Sequence, residues 1–207
     1  MECMAVQPQY QWIAEHQMVQ SHIGVITNVR PDHLDEMGST LRDNAMSLSN
    51  TIPFNGKLVT SEKEMGSVLE QVSEKRNTEF NIVVGDGVTP EYMGRFPYLE
   101  HRDNVALALK VCELSGVEKE TALEGMVHTP PDPGATIIWE LNCNGTHNYF
   151  VNVFAANDPT STLDIWHQLR EKIIDSPTCI FLNTRDDRRY RTNQLLSLIY
   201  TQIKPDA

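Results

Sequence analysis

Short apolar runs alternate along this chain with stretches that open on helix-capping residues, and that rhythm constrains the fold more than any other feature. Candidate strands occupy residues 23–29, 57–60, 81–84, 136–141, 149–155 and 179–183. Helix starts lie between them. Ser61 followed by Glu64 matches a capping box, and Thr89-Pro90 and Asp158-Pro159 each set a capping residue before a proline at the first helical position. Strand, helix and strand in succession predict the α/β class with a mainly parallel sheet. Residues 104–114 carry Val105, Leu107, Ala108, Leu109, Val111 and Leu114. Such a helix is too apolar for the surface, so it is expected to be buried on more than one side and to end at Gly116.

A length of 207 residues suits one large domain or two small ones. The run Thr129-Pro-Pro-Asp-Pro-Gly134 breaks the rhythm, which predicts a linker at 129–135 between domains at 1–128 and 136–207. The balance of 28 acidic against 17 basic side chains gives a net charge of -11. That charge repels polyanions and argues against nucleic acid as a partner. No apolar run approaches the roughly 20 residues of a membrane span, and the N-terminus lacks signal-peptide regions, so a cytosolic chain is expected. Cys3, Cys112, Cys143 and Cys179 are scattered without a C-x-x-C spacing. They are expected to be reduced and mostly buried.

The chemistry concentrates in Gly24-Val-Ile-Thr-Asn-Val-Arg-Pro-Asp-His-Leu-Asp35, where an apolar run ends and delivers an Asp-His-x-Asp cluster. Ligands of α/β proteins bind at strand ends, and imidazole with carboxylate oxygens can hold a divalent ion. A solvated turn is the alternative. Glu2 precedes the apolar Cys3-Met4-Ala5-Val6, and residues 8–21 are long enough for a crossover, so two neighbouring parallel strands could bring Glu2 and His33 together. Met1 then lies against the end of a strand, and only one helix follows residues 179–183. The chain is therefore expected to be a fragment of a longer protein.

Six ordered motifs resemble one family. Glu2-Cys-Met-Ala-Val, Asn28-Val-Arg-Pro-Asp-His-Leu-Asp-Glu-Met-Gly38, Thr51-Ile-Pro-Phe-Asn-Gly56, Pro130-Pro-Asp-Pro-Gly-Ala135, Phe154-Ala-Ala-Asn-Asp158 and Asn183-x-Arg-x-Asp-Arg188 resemble the ligase subunit of bacterial poly-γ-glutamate synthase. That family is similar to the Mur ligases and folylpolyglutamate synthases. The resemblance implies a central ATP-binding α/β domain followed by a Rossmann-like domain, with this chain holding the later part of the first and the start of the second. It implies ATP and magnesium as cofactors. A glutamate γ-carboxyl would be activated as an acyl phosphate and attacked by the amine of another glutamate, giving capsular or secreted poly-γ-glutamate. Membrane-embedded companion subunits would place the enzyme at the inner face of the membrane.

The resemblance also implies roles. Glu2 and His33 would hold magnesium, with a capping or core histidine as the alternative for His33, and Asp32 and Asp35 would orient the imidazole or cap a helix. Asn104 would meet the nucleotide or cap the helix that follows it. Asp158, Ser161 and Thr162 would face the nucleotide or serve as first-turn residues. Arg185, Asp187 and Arg188 belong to a dense basic cluster whose guanidinium groups suit the polyanionic product or the acyl phosphate. Arg189 and Arg191 read as the exposed face of a helix.

The chain departs from the family in one consequential way, because no G-x-x-x-x-G-K-[ST] phosphate loop occurs among its 207 residues. It is therefore expected to be inactive alone. Thr136, Ile137 and Ile138 stand where an arginine would reach the phosphates. A non-catalytic remnant, or an accessory subunit binding a partner ligase chain, is the second reading. A hydrolase using the Asp-His-x-Asp cluster is the third, and it would need three convergent metal ligands.

Overall fold

The computed structural model describes residues 1–156, 158–173, 176–184, 186 and 189–206. Two compact units divide the chain, Met1–Pro130 and Pro131–Ala207.

The first unit opens on α1 (Pro8–Ile13), with proline at the first helical position, and continues as a π-helical turn over Ala14–Val19. Strand β1 (Ile23–Ile26) follows, then the short α2 (Leu34–Met37), α3 (Leu41–Leu48), β2 (Lys57–Thr60), α4 (Gly66–Lys75) and β3 (Glu79–Ile82). The three strands form a parallel sheet in the order β1-β2-β3, with Val25 opposite Val59 and Val59 opposite Asn81. Helices α5 (Pro90–Met93), α6 (Arg102–Leu114) and α7 (Lys119–His128) complete the unit.

The core gathers Ile26, Val29, Ala45, Ile52, Leu58, Val68 and Leu69, drawn from both sheet and helices. Leu58 and Leu69 are wholly buried, and each contributes roughly 1.5–3 kcal/mol through removal from water. Arg76 ties the far side together. Its Nη1 donates to the carbonyls of Ser49 and Ile52, and the guanidinium lies 5.3 Å from the centre of the Phe54 ring.

Several boundaries differ from the sequence expectation. Strand β1 stops at Ile26 rather than Val29, because the Thr27 carbonyl accepts from both Ser61 N–H and Ser61 Oγ. Ser61 does not cap a helix, because the N-cap of α4 falls later, at Met65. Helix α4 starts at Gly66, and it is Glu62 Oε1 that accepts the Met65 N–H at its entry. Helix α6 begins at Arg102, capped by His101 Nδ1 accepting from Asp103 N–H, so Asn104 is not its cap. It buries Val105 and Leu107, half-buries the other apolar side chains, and stops at Leu114, just before Ser115 and Gly116. At Gly116 φ is +77°, and the amides of Gly116 and Val117 bond the carbonyls of Glu113 and Cys112. This is a Schellman cap. Thr89 caps α5, and Asp158 caps the helix that opens at Pro159, as their prolines announce.

The second unit holds an antiparallel hairpin, β4 (Ile138–Cys143) and β5 (Thr146–Val151), then α8 (Pro159–Lys172), α9 (Arg189–Leu198) and a π-helical turn at Ile199–Ile203. Asn144 and Gly145 turn the hairpin with φ of +53° and +81°, the left-handed pair of a tight hairpin turn. The described residues of 179–183 form no strand, and the nearby Thr178 backbone instead bonds Asp206 in both directions. The cysteines are free, but Cys3, Cys143 and Cys179 are exposed and Cys112 is half-buried. The expected burial fails because three of them lie on irregular chain or on the uncovered hairpin.

Candidate functional site

The loop after β1 is the best-defined candidate. Val29 is buried, and its N–H donates to Glu62 Oε2 at 2.6 Å. Three residues on, Asp32 N–H donates to Asn44 Oδ1 (3.2 Å), and Asp32 Oδ1 accepts His33 N–H (3.0 Å). His33 is left-handed, with φ of +45°, a conformation that costs a non-glycine residue about 1–2 kcal/mol. Its carbonyl accepts from the amides of Glu36 and Met37 and so starts α2. Its own side chain makes no capping bond, and Nε2 lies 3.7 Å from Asp32 Oδ2. Asp32 therefore stands beside the imidazole, while Asp35 sits in the first turn of α2.

The loop closes through Gly38 (φ +105°) into a capping box. Thr40 Oγ1 accepts Asp43 N–H, and Asp43 Oδ2 accepts from Thr40 N–H and Oγ1. The Thr40 hydroxyl first, and then the Thr40 amide, hold the Asp43 carboxyl below its ordinary value.

Glu2 is exposed and lies in an irregular segment rather than at a strand end. The Ala5 carbonyl accepts from Gln11 Nε2 (3.2 Å) instead of joining a ladder, and β2 is the strand that pairs with β1 among the described residues. No three His, Cys, Asp or Glu side chains converge to hold a metal ion among the described residues. The donor set thus does not make a protein cage for a divalent cation, and it gives the hydrolase reading no three-ligand site.

Asn104 is exposed in the first turn of α6, its Nδ2 donating to Glu100 Oε1 at 2.8 Å. In the second unit Asp158, Ser161 and Thr162 do come together. Asp158 Oδ1 accepts Ser161 N–H (2.9 Å), Asp158 Oδ2 accepts Ser161 Oγ–H, and the Asp158 carbonyl accepts Thr162 Oγ1–H (2.8 Å). Those bonds make the trio the N-terminal cap of α8. Arg185, Asp187 and Arg188 lie outside the described residues. Arg189 is exposed at the start of α9 and Arg191 is half-buried. Two open clefts, one lined by Pro8, Trp12, Ile13 and Asn50 and the other by Glu120, Glu124 and His128, contain none of these residues.

Residues 138–207 match the poly-gamma-glutamate synthase CapB C-terminal domain. The chain is 43% identical to PGA synthase CapB of Bacillus subtilis (strain 168) over 206 residues, which are 98% of this chain and 52% of that protein. It is 41% identical to capsule biosynthesis protein CapB of Bacillus anthracis over 206 residues, 99% of this chain and 44% of that protein. The chain is a relative of the CapB synthases. It spans about half the length of these CapB proteins.

Solved structures similar to this CapB relative carry the same α/β fold. Escherichia coli FolC in complex with DHPP and ADP gives a TM-score of 0.58 at 17% identity, covering 76% of this chain and 40% of that one. A bifunctional folylpolyglutamate synthase/dihydrofolate synthase with Mn, AMPPNP and L-glutamate bound gives 0.58 at 16%, covering 75% and 40%. The S73A mutant of L. casei FPGS gives 0.55 at 13%, covering 84% and 49%. The α/β, Mur-ligase-like fold read from the motifs is the fold observed. No helix among the described residues is long and apolar enough to cross a membrane.

Proposed function

We propose that this chain is part of an amide ligase that polymerises glutamate into capsular or secreted poly-γ-glutamate, with ATP as co-substrate and magnesium as cofactor. The observation that carries the reading is the 43% identity to PGA synthase CapB across 98% of the chain. In the proposed reaction the γ-carboxylate takes the terminal phosphoryl group of ATP and ADP leaves. The amine of a second glutamate then attacks the acyl carbon, expelling phosphate and losing a proton. Holding two anionic reactants in line is the main task of the protein.

Within this reading Glu2 and His33 remain the magnesium candidates and Asn104 a nucleotide contact. Asp158, Ser161 and Thr162 offer a capped helix start to the nucleotide, and Arg185, Asp187 and Arg188 offer charge to the acyl phosphate or product. The described side chains form no closed site for metal or nucleotide, so no step is assigned to the ion. Membrane-embedded synthase subunits are the proposed partners, which would hold the chain at the inner face of the cell membrane. Residues 1–128 would belong to the central ATP-binding domain, and 136–207 to the C-terminal ligase domain, with 129–135 as linker.

The 207 residues contain no phosphate-loop motif, so we further propose that the chain needs a phosphate-binding element from another polypeptide segment. Glutamate-dependent ADP release tests both statements. The chain alone is expected to release none above background, and adding a phosphate-loop segment from a CapB relative is expected to restore it. Turnover by the isolated chain would overturn the dependence, and no turnover in the mixture would favour a non-catalytic accessory role.

A further inference from the structure

Two buried polar side chains hold the segment that presents His33, and neither belongs to any motif in the sequence. Asn44, on α3, is fully buried, and all its hydrogen bonds described above and here go to that segment. Its Oδ1 accepts Asp32 N–H, and its Nδ2 donates to the carbonyls of Gly38 and Thr40, both at 3.1 Å. Glu62 is 6% exposed, and its carboxylate joins Val29 N–H at the start of the segment to Met65 N–H at the entry of α4. The imidazole between these anchors stays 36% exposed.

We infer that Asn44 and Glu62 are positioning residues that act through His33, fixing the backbone from 29 to 40 so that the ring is presented in one orientation. The inference rests on the ligase reading, in which His33 belongs to the reacting site. Burying an amide and a carboxylate is unfavourable unless their bonds are made, and here the bonds go to loop backbone on both sides of a left-handed histidine. A loop of this length without such anchors belongs to the readily opened part of a structure. Misplacement of a reacting group by about 1 Å can cost two orders of magnitude in rate, so the anchors have something to protect.

Amide hydrogen exchange on the whole chain tests the holding directly. In Asn44→Ala the Asp32 amide, and in Glu62→Gln the Val29 or the Met65 amide, are expected to exchange about tenfold faster, the loss of one hydrogen bond. The amides of Leu58 and Val59 in β2 should keep their protection. Unchanged exchange at Asp32 in Asn44→Ala, or at both Val29 and Met65 in Glu62→Gln, or equal acceleration in β2, would overturn the inference. Glu62→Gln keeps the side-chain volume but sets an NH2 where one of two N–H groups needs an acceptor, so it serves if Asn44→Ala does not fold.

The mixture described above tests the action through His33. Asn44→Ala should lower kcat about tenfold or more, and the same substitution in a His33→Ala background should cause no further loss. Additive losses would make Asn44 merely structural. If the unsubstituted chain shows no turnover in the mixture, the ligase reading fails, and with it the action through His33. The exchange result then decides only whether the two side chains hold the loop.

Discussion

Gly38 has little room to change. Its φ of +105° is costly for any side chain, and an added β-carbon would collide with the Cβ and Cγ of Asp43. Gly38→Ala is expected to destabilise the first unit by roughly 1–3 kcal/mol, read as a lower urea midpoint. Thr40→Ala removes the cap of α3 and is expected to cost about 1 kcal/mol. Asp43 adds an acid signature. Because its carboxyl is held below its ordinary value, the folded state binds fewer protons there, so its contribution is complete above the usual carboxylate range and fades as pH falls. His16 acts in the same direction at milder pH. Burial, and then the neighbouring Arg76, push its imidazole below 6.5, favouring the neutral ring in the folded protein. The associated stability is present above the unfolded value and is lost as pH falls below it. A His16→Gln variant is expected to show a flatter drop in urea midpoint between pH 7.5 and pH 5.

At the scale of elements, Leu69 on α4 is the plainest test of the core. Leu69→Ala leaves a void against a wholly buried site and is expected to cost about 2–5 kcal/mol, measured by equilibrium denaturation. Which elements the sequence revealed follows from the range of the interactions that make them. Thr89 and Asp158 cap their helices through bonds three residues away, so a local pattern reports them. Ser61 looks the same locally, yet Thr27, far back in the chain, takes its hydroxyl. The Asn144-Gly145 dipeptide is a hairpin signal that the reading of the sequence passed over, so 136–141 and 149–155 were expected in a mainly parallel sheet where β4 and β5 pair antiparallel. His33 was legible as a residue of the loop after β1, while a strand at Glu2 depended on a tertiary ladder that the described residues do not form. Asn44 and Glu62 lay beyond reach because their partners sit 12 and 33 residues away, and nothing in a sequence marks a buried amide as bound to a distant loop.

The two units differ in how much they bury. The described apolar core side chains of the second are Leu169, Leu198 and Ile203, against a dozen in the first that include Leu58, Leu69 and Ile52 with no exposure. Limited proteolysis is therefore expected to cut within 131–206 while 1–130 stays intact, as followed by mass spectrometry; early cuts in β2 or α4 would contradict it. The hairpin is the thinnest part, with Trp139, Leu141, Tyr149 and Phe150 all exposed, and two strands alone are marginal in water. Strands β1 and β3 likewise end a short sheet, with no further strand beside them among the described residues. Bare amide rims next to greasy rings welcome any backbone that drifts past, so this polypeptide should turn sticky as it is concentrated, long before heat or urea unravels it.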